Sequence, residues 1–141
     1  MKNLQKKFDE YKKKVHSKEG IGEFYERQIR YLYEKNGWRV EPYGILKGKS
    51  DLGRDLICTK KKQVLIIQAK NWSKRKTIHE KHLMQLAGTI LYYIYNKNNF
   101  PKGVFVTTAK LSDRAKDVAK KLNIQHRNIK LDKNFPMIKC N

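Results

Sequence analysis

Residues 55–70 read DLICTKKKQVLIIQAK and consist of two apolar runs on either side of a short lysine-rich connection. The runs 55–59 and 64–70 have the length of buried strands, and KKKQ is short enough to form a tight turn between them. Because VLII is apolar on both faces, the second strand is predicted to lie at the centre of a sheet. Gln68 and Lys70, which are polar, stand at the end of that strand, and they predict a cleft at this edge of the sheet.

The flanking sequence supplies further elements in a regular order. A helix is predicted over 22–36, ending at Asn36-Gly37, and a strand over 38–43. Downstream we expect a helix over 77–96, the strand GVFVTTA, a helix from an N-cap at Ser112 to Leu122, and a last strand in IQHRNIKL. This order predicts one mixed α/β domain in which helices cover a central sheet.

The first 19 residues have a different pattern from the rest of the chain. Apolar residues recur at helical spacing among seven lysines, which predicts a basic amphipathic helix; they are Leu4, Phe8, Tyr11 and Val15. Gly20 and Gly22 are expected to interrupt it. We therefore divide the chain into a basic helix over 1–19 and a folded domain over 20–141.

The charge of the chain restricts the choice of partner. Thirty-three Lys and Arg against 13 Asp and Glu give a net charge of +20 over 141 residues, which points to a polyanion or an anionic membrane surface. No apolar run approaches the ~20 residues of a membrane-spanning helix. The two cysteines cannot build a disulfide framework. We expect an intracellular, cytoplasmic protein that binds nucleic acid and not a membrane.

The acidic residues are grouped. Six of the 13 carboxylates fall within 20–59, whereas 60–82 carries a net charge of +7. A protein that holds a divalent cation beside a phosphate needs both kinds of region. The alternative is that the acids on the helix over 22–36 are only its solvated face.

The predicted hairpin places Asp55 beside Gln68. The Asp55 carboxylate, the side-chain oxygen of Gln68 and the backbone carbonyl of Ala69 are suitable ligands for Mg²⁺, with Mn²⁺ as a substitute. Lys70 can then orient or deprotonate a water and neutralise the reacting phosphate. The alternative is a strand that simply ends in polar residues. On the preceding helix Glu26 lies at the edge of the apolar stripe, where it can reach the metal or its water ligands from across the sheet or pair with Arg30.

Three segments together resemble the PD-(D/E)xK nuclease superfamily. They are GxxxER at 22–27, DLGRDLI at 51–57 and IIQAK at 66–70. The resemblance covers about residues 20–124 and is strongest to the Mrr-like restriction endonucleases, with archaeal Holliday junction resolvases as relatives. It implies a restriction-endonuclease-like core, a central mixed β-sheet flanked by helices in the order αβββαβ, with the basic N-terminal helix as an addition.

The resemblance also implies roles for individual residues. Asp55 becomes the metal aspartate, Gln68 the second ligand, Lys70 the catalytic lysine and Glu26 the helix glutamate. Gln85 matches a position where such enzymes keep a polar residue near the site. Arg54 replaces the usual proline before the aspartate.

Basic residues around these segments are predicted to contact nucleic acid. They are Lys47, Lys49, Arg54, Lys74, Arg75, Lys76, His79 and His82. For the run 74–76 the alternative is a solvated loop. The two histidines could instead cap the helix that follows, and zinc binding lacks further ligands.

The sequence thus predicts a Mg²⁺-dependent endonuclease that hydrolyses duplex or branched DNA without a covalent intermediate. Two other functions stay open: a resolvase that cuts four-way junctions, and a nucleic-acid-binding module whose site has decayed, which the uncharged Gln68 suggests. A homodimer also stays open.

Overall fold

The computed structural model describes residues 18–43, 54–72, 76–97 and 100–132. Its helices are α1 (Lys18–Lys35), α2 (Glu80–Lys97) and α3 (Asp113–Lys121). Its strands are β1 (Arg39–Tyr43), β2 (Arg54–Lys60), β3 (Gln63–Lys70), β4 (Thr77–Ile78), β5 (Lys102–Thr107), β6 (Lys110–Leu111) and β7 (Gln125–Asn128). None of the described helices is long and apolar enough to cross a bilayer.

Five strands form one mixed sheet in the order β1-β2-β3-β5-β7. Strand β2 is antiparallel to both of its neighbours, β1 and β3, whereas β5 and β7 run parallel to β3. The strand VLIIQAK is therefore central, and the predicted mixed sheet flanked by helices is confirmed. Since β3, β5 and β7 are parallel, Lys70, Thr107 and Asn128 end their strands at the same side of the sheet, which we call the carboxyl edge.

Each face of the sheet is covered by its own helices. On one face Tyr25 and Ile29 of α1 pack with Ile67 of β3. On the other face Leu83 of α2 packs with Ile66 of β3, and α3 belongs to the same cluster. Successive residues of a strand point to opposite faces, so the positions of Gln68 and Lys70 share the α2 face with Ile66.

The predicted helix boundaries at Gly37 and Ser112 are confirmed. After α1, Gly37 adopts φ +92°, the left-handed conformation that a glycine tolerates without steric cost. At the start of α3 the Ser112 hydroxyl accepts a hydrogen bond from the Ala115 backbone N–H at 3.1 Å. These two ends were predictable because a single residue type supplies each of them.

The start of α1 differs from the prediction. The helix begins at Lys18 and continues through Gly20 and Gly22, so the expected interruption is wrong there. Glycine costs a helix only about 1 kcal/mol relative to alanine, and the packing of Phe24 and Tyr25 offsets that cost. The predicted basic helix over 1–19 otherwise lies outside the described residues.

The start of α2 also differs. Residues 77–79 were predicted to be helical, but Thr77–Ile78 pair with Lys110–Leu111 in a separate two-stranded parallel sheet. The Ser112 backbone N–H extends this pairing with a 2.9 Å bond to the Ile78 carbonyl. Two-residue strands leave no periodic pattern, because their pairing is decided by contacts distant in sequence.

Candidate active site

Asp55 and Gln68 are direct partners in the antiparallel ladder between β2 and β3. Opposed positions of such a ladder share one face of the sheet and lie about 5 Å apart. The backbone thus brings the two positions together, as predicted from their spacing. The side chains of Asp55 and Arg54 lie outside the described residues.

Gln68 and Lys70 are buried at the carboxyl edge. Gln68 is 1% exposed and Lys70 is 4% exposed, although both residue types usually face water. Burying an ammonium group is costly unless other groups compensate for the lost water. The Lys70 side chain has one such neighbour in Trp72, whose ring centroid lies 4.4 Å from Nζ.

The donor set at this edge fits a hard cation. Gln68 offers an amide oxygen, the next residue, Ala69, a backbone carbonyl, and Asp55 stands opposite Gln68 in the ladder. Oxygen ligands of this kind suit Mg²⁺ and Mn²⁺. Within the described residues no three His, Cys, Asp or Glu side chains converge on one point. The predicted set does not require such a group, because only two of its donors, Asp55 and Glu26, are carboxylates, and the side chain of Asp55 lies outside the described residues.

Gln85 lies one helical turn after His82 on α2, on the same side of the helix. Its Oε1 atom is shielded from solvent, and in the described part of the chain it accepts no hydrogen bond. Buried polar atoms normally find a partner in protein or ordered water. Gln85 therefore has an acceptor available, and its place near the chemistry stays a prediction.

Glu26 lies on α1, the helix that covers the opposite face of the sheet from Gln68 and Lys70. The hydroxyl of Tyr25, its neighbour on α1, donates to the Ile129 carbonyl at 2.7 Å, just beyond the end of β7. Glu26 itself is half-buried. The guanidinium of Arg30, which the sequence offered as an alternative partner of Glu26, contacts Glu34 at 2.7 Å. The approach of Glu26 to the site stays a prediction.

His82 is a helix cap rather than a nucleic-acid contact. Its side chain is 5% exposed, which contradicts the predicted direct contact with DNA. Its Nδ1 accepts a hydrogen bond from the His79 backbone N–H at 3.1 Å. His82 is the third residue of α2, and a side chain at this position can cap a helix by bonding to the backbone N–H of the residue just before the helix. The capping alternative is confirmed.

The environment of His82 keeps its ring neutral. Burial, together with the nearby positive charge of Lys70, lowers the pKa of His82 from 6.5 to about 4. No additional positive charge is therefore placed beside Lys70 at neutral pH.

This environment predicts a pH dependence of stability. Because the folded pKa of His82 lies below the unfolded value, the unfolded chain binds more protons between pH 6.5 and about 4, and stability falls as the pH drops through that window. His82→Gln should reduce this fall, since glutamine can make the same capping bond but does not titrate. Urea unfolding at pH 7, 5.5 and 4.5 measures the difference. An equal fall of stability in His82→Gln and in the wild type would contradict this prediction. His126→Gln is the comparison variant, because burial lowers the pKa of His126 as well.

The remaining basic candidates are divided by what the structure describes. Lys76 and His79 are exposed, and Lys76 Nζ lies 5.3 Å from the Trp72 ring centroid. Lys47, Lys49, Lys74 and Arg75 lie outside the described residues, as does the side chain of Arg54. Their contact with nucleic acid stays a prediction.

Two residues of the site were not identified from the sequence. They are Trp72 and Thr108. The Thr108 backbone N–H donates to the Lys70 carbonyl at 3.3 Å, and its hydroxyl bonds the backbone of Trp72 on both sides. The spacing of Trp72 two positions after Lys70 was the available signal, because alternate residues of an extended segment share a face.

The chain is similar to known proteins both in its fold and in its sequence. The described architecture is that of the restriction-endonuclease-like fold. The sequence model of the Mrr_cat restriction endonuclease family matches residues 18–132. The chain belongs to this family. A search of curated proteins finds no match.

Three solved structures share the fold. They are a protein of unknown function, AF1548 (TM-score 0.61, 18% identity, covering 74% of this chain and 56% of that one), EndoMS in its apo form (0.56, 13%, 77% and 47%) and a repair endonuclease from Pyrococcus abyssi (0.52, 14%, 75% and 46%). The chain spans about half the length of these proteins. At these identities the likeness shows the fold alone.

Proposed function

We propose that the chain is a metal-dependent endonuclease that hydrolyses phosphodiester bonds in DNA. The observation that carries the proposal is the pairing of Asp55 with Gln68, two residues before the buried Lys70, at the carboxyl edge of the central strand. Membership of a restriction endonuclease family supports the same reading of that edge.

In this proposal Asp55, Gln68 and the Ala69 carbonyl hold Mg²⁺ or Mn²⁺, and Glu26 approaches from the other face. The cation, when bound, supplies Lewis-acid stabilisation of charge on the reacting phosphate. Gln68 contributes an oxygen without a negative charge, so Asp55 carries the charge that attracts the cation. Its position on β2 is held by the ladder on both sides, with β1 and with β3.

Lys70 acts on the water and on the phosphate. Its ammonium is held in a buried place with little water, where a charge interacts with a developing anion more strongly than it does in bulk solvent. The oxygen of the attacking water forms the new bond to phosphorus and releases a proton to solvent, while the bond from phosphorus to the leaving sugar oxygen breaks and that oxygen takes up a proton from solvent. Lys70 orients that water, and no bond to the protein is formed.

We propose DNA as the substrate because of the net charge of the chain and its similarity in fold to a protein that binds DNA. The net charge of +20 exceeds what solubility requires and suits a polyanion. Among the proteins of similar fold, EndoMS has been solved in complex with double-stranded DNA. The exposed Lys76 and the basic run that precedes it are the proposed phosphate contacts.

Cleavage assays on a panel of substrates test the proposal. Supercoiled plasmid, linear duplex and a four-way junction are each incubated with Mg²⁺, Mn²⁺ or EDTA. We expect duplex cleavage with either metal and none with EDTA. Cleavage of junctions alone would favour a resolvase, a second candidate that the resemblance to junction resolvases keeps open. Binding without cleavage in any metal would favour a decayed site, which the uncharged Gln68 supports.

The basic run also predicts how binding depends on salt. About five to eight phosphate contacts on duplex give a slope of roughly −4.5 to −7 for log affinity against log salt. Replacing Lys74, Arg75 and Lys76 by Ala should flatten the slope by up to about 3 and weaken all sequences alike.

A matched triple variant controls for net charge. Lys60, Lys61 and Lys62 are exposed at the β2–β3 turn, the opposite end of β3 from Lys70. Their replacement by Ala removes the same charge but should leave the slope close to that of the wild type. Equal slopes in the two triple variants, measured by fluorescence anisotropy, would place the phosphate contacts elsewhere.

A further inference from the structure

The ammonium groups of two lysines and the neutral ring of His82 lie against the indole of Trp72. Lys70 Nζ lies 4.4 Å and Lys76 Nζ 5.3 Å from the ring centroid. His82 contacts the same indole edge-on, with centroids 4.7 Å apart and an interplanar angle of 88°. Both ammonium distances fall within the range in which an aromatic face attracts a cation.

Trp72 itself is fixed by the backbone around it. Thr108 Oγ1 accepts the Trp72 N–H at 2.9 Å and donates to the Trp72 carbonyl at 2.8 Å. The Thr108 N–H bonds the Lys70 carbonyl, so one residue ties both ends of the segment from Lys70 to Trp72 to the end of β5. The ring therefore stands in a defined place relative to the end of β3.

We propose that Trp72 is a positioning residue for Lys70: its indole face holds the ammonium at the point where it meets water and phosphate. This inference rests on the function proposed above. A lysine side chain has a flexible four-carbon stem and a single point charge, so it is precise only when its surroundings restrict it. An aromatic face restricts an ammonium group without neutralising its charge.

The surroundings of the ring support this role. His82 packs against Trp72 while its Nδ1 is engaged with the His79 backbone N–H, so the ring is tied to the first turn of α2. Lys76, the exposed lysine at the end of the basic run 74–76, lies against the same indole. Trp72 thus connects a buried lysine with one that faces solvent.

Two substitutions of similar size separate positioning from packing. Trp72→Leu removes the aromatic face, and Trp72→Phe keeps one. At saturating protein we expect the cleavage rate to fall about tenfold in Trp72→Leu and to stay within about threefold of the wild type in Trp72→Phe, while DNA affinity changes less than the rate in both. Trp38→Leu is the control, because Trp38 carries Lys60 in the same manner (5.7 Å), at the opposite end of the sheet. It should leave the rate unchanged.

A second measurement is independent of cleavage. The ε-methylene protons of Lys70 should be shifted upfield by the indole ring current in NMR spectra, less so in Trp72→Phe and not in Trp72→Leu. An unshifted Lys70 in the wild type, or equal cleavage rates in Trp72→Leu and the wild type, would overturn the inference. Absence of cleavage by the wild type would overturn the proposed function, and the ring-current shift would still decide whether Trp72 holds Lys70.

Discussion

Lys70→Ala should lower the rate of DNA cleavage by about 10²–10³-fold while leaving DNA affinity nearly unchanged. The substitution removes a buried positive charge from the edge where Gln68 and Asp55 are paired. Affinity should survive because it depends on many exposed phosphate contacts, to which one buried ammonium adds little. Single-turnover cleavage and anisotropy titrations at the same salt concentration measure the two quantities separately.

Lys102→Ala is the matched control for this variant. Lys102 is exposed at the first position of β5, where it pairs with Leu65 of β3 at the end of the sheet opposite to Lys70. The substitution removes one lysine from a neighbouring strand, and the variant should cleave DNA at the wild-type rate. A Lys70→Ala protein that is folded by circular dichroism and cleaves as fast as Lys102→Ala would remove Lys70 from the mechanism.

Asp55→Ala should have the largest effect, a loss of about 10³-fold in rate together with weaker metal binding. Asp55 supplies the one carboxylate among the proposed donors on this face, since its partner Gln68 is uncharged. Bound metal contributes several kcal/mol of charge stabilisation to phosphoryl transfer, which corresponds to a factor of this size. Calorimetric titration with Mg²⁺ measures binding, and plasmid nicking measures the rate.

Glu41→Ala provides the comparison for Asp55→Ala. Glu41 is an exposed carboxylate on β1 of the same sheet and is paired with Arg39 at 2.8 Å. Exposed ion pairs of this kind contribute little to stability, so both metal binding and cleavage should be unchanged. Equal Mg²⁺ affinity in the Asp55→Ala protein and the wild type would show that the cation is held by other residues.

The sequence predicted the centre of the fold because the pattern there is local. VLIIQAK is apolar on both faces, and it became the central strand with Gln68 and Lys70 at its end. The spacing from Asp55 to Gln68 predicted a hairpin, and the register pairs these two residues.

The rest of the site depends on contacts between distant parts of the chain. Gln28 is buried, although it is polar, because its amide donates to the Lys130 carbonyl and accepts the Asp132 N–H. The sequence predicted that His82 contacts DNA. It could not predict the burial of His82, because Trp72, which packs against it, lies ten positions earlier, after the end of β3. Periodicity within one segment does not report which segment packs over it.

One measurement tests the central claim most directly: the nicking of supercoiled plasmid by the wild-type protein and by Lys70→Ala, in Mg²⁺ and in EDTA. The account predicts nicked and linear products only for the wild type in Mg²⁺, with plasmid bound by both proteins in either solution. Nicking that persists in EDTA, or that is equal in the two proteins, would contradict a metal-dependent nuclease site at the end of β3.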